Sequence, residues 1–385
     1  WSSPPESGMS ARDYNAGSGH WVVLKYGGTS VADPENWAGI AEVLRARQSE
    51  GLRPVLVHSA LSGVSDRLER LARLPDDLER EAIVGQIEER HAALLAGLGL
   101  ESPPELTPRL QEVGRLANGL ALTGEVSAPL EARLLALGEL MASAIICAYL
   151  AQQGFDVLNP DARQVLTSRR TYTAHDPRRF LSAVCDSDFD DRLCADWAAH
   201  SGIIVTQGFI ASDDRGRTVV LGRGGSDTSA AYFAARLRAE RLEIWTDVPG
   251  MFSANPRIIP SARLLRQLSF DEAQEIAATG GKVLHPRCLA VARHSGTPVH
   301  VLETRRPHVE GTIVSAVGDT QGPRIKAISA RQGLTLVSME SLGMWRESGF
   351  LAKVFRVFAE LDLSIDLVST SESVVTVTLD EPASV

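Results

Sequence analysis

A lysine and two glycines lie where an apolar run gives way to a stretch with helical spacing. The segment Lys25–Ser30 reads Lys-Tyr-Gly-Gly-Thr-Ser, and it continues the apolar run Trp21–Tyr26. Glycines allow backbone N–H groups to approach an anion closely, and a loop between a strand and a helix forms an anion-binding nest. Lys25 could pair with a phosphate group as a point charge. By itself the segment is equally consistent with a glycine turn beside an exposed lysine.

A second glycine-rich segment, Leu221–Ala231, opens onto a helix predicted to begin near Ser226. It carries three glycines within four positions and Arg223, whose guanidinium could grip a carboxylate through two hydrogen bonds. The third glycine of the dinucleotide-binding fingerprint is absent, and the chain contains no Gly-Lys-[Ser/Thr] phosphate loop. The structural alternative for Asp227 is that it caps the helix N-terminus together with Ser226 and binds no ligand. Two such turns, each at a strand-to-helix junction, favour an anion site more strongly than either turn alone.

Two further segments combine glycines with polar side chains. Trp245–Arg257 begins with a strand that ends in a polar loop, which suits a nucleotide site but also an ordinary surface loop. In Gly280–Pro286, Lys282 follows two glycines, and the simplest interpretation is a glycine C-cap with a lysine that complements the helix dipole. His58 and His285 stand in apolar surroundings and are predicted to be structural, since no triad or metal-ligand spacing surrounds them.

The elements that would position these segments alternate between strands and helices, which predicts an α/β fold with an open, mostly parallel sheet between helices. In such sheets, ligands bind beyond the carboxyl ends of the strands. The predicted strands are 21–26, 54–58, 155–158, 164–167, 202–207, 242–246 and 298–302, and the predicted helices include 34–48, 226–238 and 271–279. The polar turn Asp213–Arg217 predicts a hairpin between the flanking runs.

Residues 304–323 are rich in Gly, Pro and charge, and we place a domain boundary there. Beyond it the pattern predicts a small α+β module of strand, helix, strand and strand, at 334–339, 350–361, 364–368 and 374–379. A complete ferredoxin-like unit would need a second helix and a last strand. We therefore expect a catalytic domain over 20–310 and an incomplete regulatory module over 324–385.

The 385-residue chain has a net charge of −9, which argues against a nucleic-acid partner. The apolar stretch Leu134–Ala151 contains Glu139 and many small residues, so it is predicted to be a buried helix and not a membrane span. Four cysteines without a paired motif favour a reduced, cytoplasmic compartment. Residues 1–19 contain no apolar signal region, and we expect them to be a leader or tag.

Six blocks together make the sequence resemble the aspartokinases. They are LKYGGTSV (24–31), HSALSGVSDRL (58–68), LGELMAS (137–143), LGRGGSDTSAA (221–231), WTDVPGMFSANPR (245–257) and GGKVLHP (280–286). The resemblance implies the amino acid kinase fold and transfer of the γ-phosphate of MgATP to the side-chain carboxylate of L-aspartate. The products would be 4-phospho-L-aspartate and ADP, in the first step of the pathway to lysine, threonine and methionine.

The resemblance also implies roles for individual residues. The ATP-binding set is Lys25, Gly27, Gly28, Thr29, Thr246, Asp247, Phe252, Arg257 and Lys282. The set that binds aspartate is Ser65, Glu139, Arg223 and Ser226, with Arg223 on the α-carboxylate and Glu139 on the ammonium. Lys25, Asp227 and Lys282 would be the catalytic group, in which Asp227 orients Lys25. The cofactor is expected to be Mg²⁺ carried by ATP, with no protein metal site.

The C-terminal module resembles the ACT domain of lysine-sensitive aspartokinases through Met344–Leu351 and Ser364–Glu372. The implied effector residues are Met344, Gly349, Phe350, Leu351, Asp366, Thr370 and Ser371. In the family they surround an amino acid, usually lysine, at a dimer interface, so we expect a homodimer through this module. Glu347 stands where serine is usual, which leaves the identity of the effector open. Family members continue with a second ACT domain, which leaves open whether the chain is a fragment of a longer or fused enzyme.

Two other functions remain to be separated from this one. A related kinase could act on glutamate or acetylglutamate, although a Glu139–Arg223 pair predicts a free amino acid with an unblocked ammonium. A non-catalytic amino-acid sensor built on a kinase fold is a third possibility. It is disfavoured because Lys25, Asp227 and Lys282 are all present.

Overall fold

The computed structural model describes residues 20–173, 175–279, 283–319, 321–323, 325–330, 333–341, 348–361 and 363–379. The chain forms two compact units, Trp1–Ile328 and Ser329–Val385. The strands of the first unit are β1 (Trp21–Tyr26), β2 (Arg53–His58), β3 (Val157–Leu158), β4 (Ile203–Gln207), β5 (Ile210–Ser212), β6 (Thr218–Val220), β7 (Arg241–Thr246), β8 (Gln267–Ser269), β9 (Val299–Glu303) and β10 (Thr312–Ser315). Its helices are α1 (Gly28–Val31), α2 (Asn36–Ser49), α3 (Val64–Ala72), α4 (Asp77–Leu98), α5 (Leu106–Thr123), α6 (Ala128–Gln152), α7 (Ala162–Val165), α8 (Arg178–Leu181), α9 (Asp191–Ala198), α10 (Gly225–Arg236), α11 (Phe270–Ala278) and α12 (Pro286–Ser295).

The first unit is built around an eight-stranded sheet in the order β3-β4-β2-β1-β7-β9-β10-β8. The neighbouring strands from β3 to β9 all pair in parallel, whereas β10 runs antiparallel to β9. The central strands are apolar runs buried on both faces, as parallel sheets between helices require. Because parallel strands end at the same edge, the segments that follow β1, β2, β4, β7 and β9 gather there. The predicted α/β class is thereby confirmed.

Helix α6 is the longest helix among the described residues, and it lies in the core of the first unit. It is the one helix in this part of the chain that is long and apolar enough to cross a membrane, but 83% of its most apolar window is buried. Its buried side chains include Leu134, Met141 and Ile145. The helix is therefore a core element, as the glutamate and small residues within it predicted.

One predicted strand is wrong. Residues 164–167 were expected to be extended, but α7 covers Ala162–Val165 as a single helical turn. The Asp161 carboxylate accepts the N–H of Arg163, and the Gln207 side chain accepts the N–H of Ala162 at 2.9 Å. These contacts satisfy the first N–H groups of the turn, and the apolar pattern alone does not reveal them. The predicted hairpin is present as the antiparallel pair β5–β6.

Helix α2 also begins later than the sequence suggests. The sequence pattern predicts a helix over 34–48, but α2 begins at Asn36. The Asp33 carboxylate instead accepts the N–H of Glu35 at 3.1 Å and shapes a separate turn.

The boundary between the two units lies C-terminal to the predicted one. The sequence predicts a junction over 304–323, yet this segment contains β10, which extends the large sheet. Thr312 is fully buried, and its hydroxyl accepts the N–H of Met251 and donates to the carbonyl of Leu265. Further on, the Lys326 ammonium pairs with Glu272 at 3.0 Å. Gly, Pro and charge are enriched here because the segment turns between packed elements, and the first unit extends to Ile328.

The second unit contains β11 (Thr335–Glu340), α13 (Phe350–Glu360), β12 (Ile365–Thr370) and β13 (Val374–Leu379). The strands form an antiparallel sheet in the order β11-β13-β12. Phe358 of α13 packs with Val375, Val377 and Leu379 of β13 into a small core. The predicted order of strand, helix, strand and strand is present.

Candidate active site

Lys25 and Asp227 form an ion pair at the carboxyl edge of the sheet. The Lys25 ammonium lies 2.5 Å from the Asp227 carboxylate, and both side chains are at least 85% buried. Lys25 is next to last in β1, and Asp227 lies in the first turn of α10. Successive side chains of a strand point to opposite faces, so Lys25 faces α10 while Tyr26 faces the other layer and stacks on Trp245. The contact expected between Asp227 and Lys25 is present.

The glycines that follow Lys25 pack tightly against the segment after β2. The carbonyl of Gly28 accepts the N–H of Ser62 at 3.1 Å. A Cβ atom on Gly28 would lie 2.7 Å from the carbonyl oxygen of Ala60, so no side chain fits. Gly27 lies against the Lys25 ammonium, and Thr29 is exposed. The turn therefore holds an exposed hydroxyl and a cation beside glycine backbone, which suits an anion.

The second glycine-rich turn leads into α10 and needs its glycines for conformation and for space. Gly222 and Gly224 have φ angles of +72° and +63°, the region that favours glycine. The Cβ position of Gly224 is filled by the ring of His285, which also caps α12 by accepting the N–H of Arg287. His285 is therefore a packing residue of this turn, as predicted.

Glu139 lies on α6 next to the segment after β2, and it is 2% exposed. One carboxylate oxygen accepts the N–H of Ala60 at 3.1 Å. The other oxygen is buried, and no described residue is its hydrogen-bond partner. Burial raises the pKa of Glu139 to about 8. A buried carboxylate with an open oxygen is costly unless a cation joins it, so this is a candidate ammonium site.

One turn along α6, Ser143 ties the helix to the ends of two strands. The Gln207 amide donates to its hydroxyl at 2.6 Å, and the hydroxyl bonds to Nε2 of His58 at 2.8 Å. His58 Nδ1 bonds to the carbonyl of Ser59. This network assigns a neutral ring with its proton on Nδ1. Burial lowers the pKa of His58 to about 4, so His58 is structural, as predicted, and holds α6 in place.

Phe209 is a site residue that the sequence analysis missed. It has a φ of +65°, which is strained for a side chain of this size. Its ring fills the Cβ position of Gly225, and Ser226 lies against the neighbouring Gly208. The segment after β4 thus packs on the start of α10, the helix whose first turn carries Asp227. The Gly-Phe pair after a buried strand was the available signal.

Thr246 and Asp247 follow β7, and the Thr246 hydroxyl donates to the Asp247 carboxylate at 3.1 Å. Asp247 is exposed. Phe252 pairs with Leu264 in an isolated bridge, and Arg257 is exposed further along the same loop. Among the described contacts, none joins Phe252 or Arg257 to Lys25.

The structure describes the positions of most of the remaining predicted residues. Ser65 is the second residue of α3, Ser226 the second of α10, and Arg223 is exposed at the tip of the glycine turn. Lys282 and Met344 lie outside the described residues. In the second unit, Gly349 precedes α13, Phe350 and Leu351 begin it, and Asp366, Thr370 and Ser371 are exposed on or after β12.

The side chains available as metal ligands determine how a metal ion would be bound. No group of three or more His, Cys, Asp or Glu side chains in the described residues is arranged to hold one. Asp227 is engaged by Lys25, and Asp247 is exposed. Mg²⁺ commonly binds through substrate phosphates with one or two carboxylates, so the residues present fit a cation that arrives with a nucleotide.

The fold and the cluster at its carboxyl edge correspond to a known class. The amino acid kinase family model matches residues 20–303, and the chain belongs to that family. Lysine-sensitive aspartokinase 3 of Escherichia coli (strain K12) is 35% identical over 94% of this chain and 79% of its own length. Chloroplastic aspartokinase 3 of Arabidopsis thaliana is 30% identical over 93% of this chain, which spans 64% of that relative.

Solved structures agree with these matches. The E. coli aspartokinase III complex with lysine and aspartate has a TM-score of 0.78 at 35% identity, covering 94% of this chain and 79% of that one. The complex with aspartate and ADP has a TM-score of 0.78 at 33% identity, covering 94% of this chain and 80% of that one. Within the amino acid kinases, this chain is an aspartokinase-family kinase.

Proposed function

We propose that this kinase phosphorylates the side-chain carboxylate of L-aspartate with ATP, as the first step towards lysine, threonine and methionine. The observation that carries the proposal is the pairing of two sites at one sheet edge. Lys25 and the glycine turns form a cationic, anion-binding side, and the open oxygen of Glu139 forms an ammonium-binding side. An ATP phosphate and an amino-acid acceptor are the ligands that this combination suits.

The reaction needs no general base. The acceptor carboxylate has an ordinary pKa near ~3.9 and is already ionised at neutral pH. Catalysis then consists of aligning the acceptor oxygen with the γ-phosphorus and of neutralising the charge of the phosphates. Lys25, oriented by Asp227, would contact these phosphates together with Lys282. Backbone N–H groups near Gly27 and Gly28 would supply further fixed dipoles.

The other site residues would orient the two substrates. Arg223 would hold the α-carboxylate of aspartate, with Ser65 and Ser226 on its carboxylate oxygens. Thr29, Thr246, Asp247, Phe252 and Arg257 would line the nucleotide side. Mg²⁺ bound to the ATP phosphates would add positive charge where the leaving group develops negative charge.

Acceptor specificity tests the proposal directly. With MgATP, we expect ADP release to require aspartate, and hydroxylamine to trap the acyl phosphate as aspartyl hydroxamate. Acetylglutamate and N-acetylaspartate should be poor acceptors, because both lack the ammonium that Glu139 would bind. Glutamate should also be a poorer acceptor than aspartate. A higher kcat/KM for glutamate than for aspartate would refute the assignment.

We further propose that the second unit is an ACT module that binds an amino-acid effector, with lysine as the first candidate. The name of the E. coli relative describes it as lysine-sensitive, and one structure of that relative contains lysine. Gly349, Phe350, Leu351, Asp366, Thr370 and Ser371, with Met344, would surround the effector across a homodimer. We expect lysine, and not threonine, to inhibit ADP release, and light scattering to report a dimer. Equal inhibition by both amino acids, or a monomer with and without lysine, would refute this regulation.

Four cysteines without a disulfide in the described residues are consistent with a reducing compartment, so we place the enzyme in the cytoplasm.

A further inference from the structure

Thr304 connects the two segments proposed to bind ATP. It follows the last residue of β9, and its backbone N–H donates to the carbonyl of Thr246 at 2.9 Å. Its hydroxyl shares a hydrogen bond of 2.8 Å with the hydroxyl of Ser30. Ser30 and Thr304 are 3% and 6% exposed, so water does not compete for this bond. A single residue therefore contacts the end of β7 through its backbone and the turn after β1 through its side chain.

The order of strands makes this contact unusual. β7 lies between β1 and β9, so the segments after β1 and β9 have one strand between them. The Ser30–Thr304 hydrogen bond spans the end of β7, at the point where the chain leaves the sheet through Thr246. Helix α1, which contains Ser30, begins at Gly28, so the bond holds the glycine turn over the carboxyl end of β7.

Helix α2 holds the same turn from its other side. The Asn36 amide donates to the carbonyl of Ser30 at 3.0 Å, and the Trp37 indole donates to the carbonyl of Val31 at 3.0 Å. These bonds fix the end of α1, but neither of them reaches β7 or β9. Only the Ser30–Thr304 pair, among the described hydrogen bonds of the Ser30 side chain, links the turn to the nucleotide side.

We propose that Ser30 and Thr304 are positioning residues, whose hydrogen bond sets the phosphate-binding turn at a fixed distance from the nucleotide-binding segment after β7. The inference rests on the proposed function. In-line transfer depends on placing the γ-phosphorus accurately, and small displacements reduce the rate strongly. The bond therefore contributes to phosphate alignment beyond its contribution to folding.

The test uses Thr304→Val, which preserves shape and removes the hydroxyl, with Thr304→Ser as the conservative variant. For Thr304→Val we expect kcat/KM for ATP to fall about tenfold, which corresponds to the loss of one buried hydrogen bond. The KM for aspartate should stay at the wild-type value. Thr304→Ser should restore most of the loss. Ser30→Ala should reproduce the effect from the other side of the bond.

The double variant Ser30→Ala/Thr304→Val separates positioning from stability. Removing both partners of a buried hydrogen bond costs less stability than removing one of them, because no polar group is left unsatisfied. We expect the double variant to recover thermal stability but to keep the tenfold loss in kcat/KM for ATP. Wild-type kinetics in the double variant would overturn the proposal. A loss of kcat/KM in the double variant equal to the product of the two single losses would also overturn it, because the two residues would then act independently.

Thr206→Val is the matched control. Thr206 is fully buried, and its hydroxyl donates to the carbonyl of Pro160 at 3.0 Å, away from the proposed nucleotide side. We expect it to lose stability with unchanged kcat and KM. If wild-type protein releases no ADP with aspartate, the proposed function fails. The positioning role of the Ser30–Thr304 hydrogen bond is then tested by the calorimetric affinity for MgADP, which should fall in Thr304→Val and not in Thr206→Val. Equal affinities in these two variants would overturn it.

Discussion

Glu139 on α6 accepts the backbone N–H of Ala60 through one oxygen at 3.1 Å, while its second oxygen is buried without a partner among the described residues. The bond to Ala60 fixes the orientation of the carboxylate. The open oxygen is thereby available for a ligand, at the cost of an uncompensated buried group in the empty protein.

Glu139→Gln should impair aspartate binding much more than ATP binding. Glutamine preserves the size of the side chain and can still accept the N–H of Ala60, but it carries no charge for the substrate ammonium. Losing one partner of a buried charge pair costs about 2–5 kcal/mol, so we expect the KM for aspartate to rise at least about thirtyfold. Steady-state kinetics with each substrate varied in turn measure this. A larger effect on the KM for ATP would place Glu139 elsewhere.

The contribution of Glu139 to the stability of the ligand-free protein should fall as pH rises from 4.5 to 8. Burial raises the pKa of Glu139 from 4.5 to about 8, so in this window the folded protein keeps a proton that the unfolded chain has lost. Glu139→Gln removes this dependence and should be more stable than wild type at pH 8. Urea unfolding across the pH range measures it, with the exposed Glu89→Gln as control. Parallel curves for wild type and Glu139→Gln would contradict the prediction.

His58 should act in the opposite direction at lower pH. Burial lowers its pKa from 6.5 to about 4, so between these values the unfolded chain binds a proton that the folded protein does not. The contribution of His58 to stability should therefore fall by about 2 kcal/mol as pH drops from 6.5 to 5, while that of Glu139 changes in the opposite direction. His58→Gln should lose much less over the same range. His294→Gln removes an exposed histidine and should show the same dependence of stability on pH as the wild type. If His58→Gln also showed the wild-type dependence, His58 would be excluded as its cause.

Lys25→Met should lower kcat about a thousandfold, because it removes a charge that, in the proposed mechanism, would contact the transferring phosphate. Asp227→Asn should lower it less, since it keeps the lysine and loses only its orientation. The control is Asp190→Asn, which breaks the ion pair with Arg236 at the other end of α10. It should reduce stability without reducing kcat. A kcat for Asp227→Asn equal to that of Asp190→Asn would show that the Lys25–Asp227 pair is only structural.

Gly28→Ala should abolish activity through sterics alone. Its Cβ atom would lie 2.7 Å from the carbonyl of Ala60, and backbone on both sides cannot yield without displacing the turn. Gly114→Ala is the matched control, because Gly114 lies inside α5 with no atom within 4 Å of the new methyl group. Alanine there should stabilise the protein by about 0.5–1 kcal/mol. Full activity in Gly28→Ala would mean that the turn does not bind phosphate.

The sequence was informative wherever local pattern and packing agree. The strands β1 and β2 contain apolar runs, β7 and β9 keep an apolar pattern around Glu243 and His300, and the parallel arrangement follows from the intervening helices. The turn at α7 was missed because its partners, Asp161 and Gln207, are a cap and a distant side chain. The boundary was misplaced because composition does not distinguish a linker from a packed, turn-rich segment such as β10.

The candidate site, like the fold, could be predicted from the sequence only in part. Glycine spacing and resemblance identified Lys25, Asp227 and Glu139 as candidates, and the structure places the first two in contact. Phe209 was missed because its positive φ arises from the packing of two loops, which no single segment encodes. The Ser30–Thr304 bond joins residues 274 positions apart, so only the strand order reveals it.

The location of Glu139 on a core helix has a consequence for altering acceptor specificity. Its neighbours on α6 are interior side chains, so relocating the carboxylate would require repacking the helix against β2 and β4. Arg223 lies on an exposed turn, but the α-carboxylate that it would hold is, like the ammonium, common to all α-amino acids. Redesign towards longer or shorter acidic amino acids should therefore leave Glu139 and Arg223 unchanged and alter the residues that would contact the side-chain carboxylate.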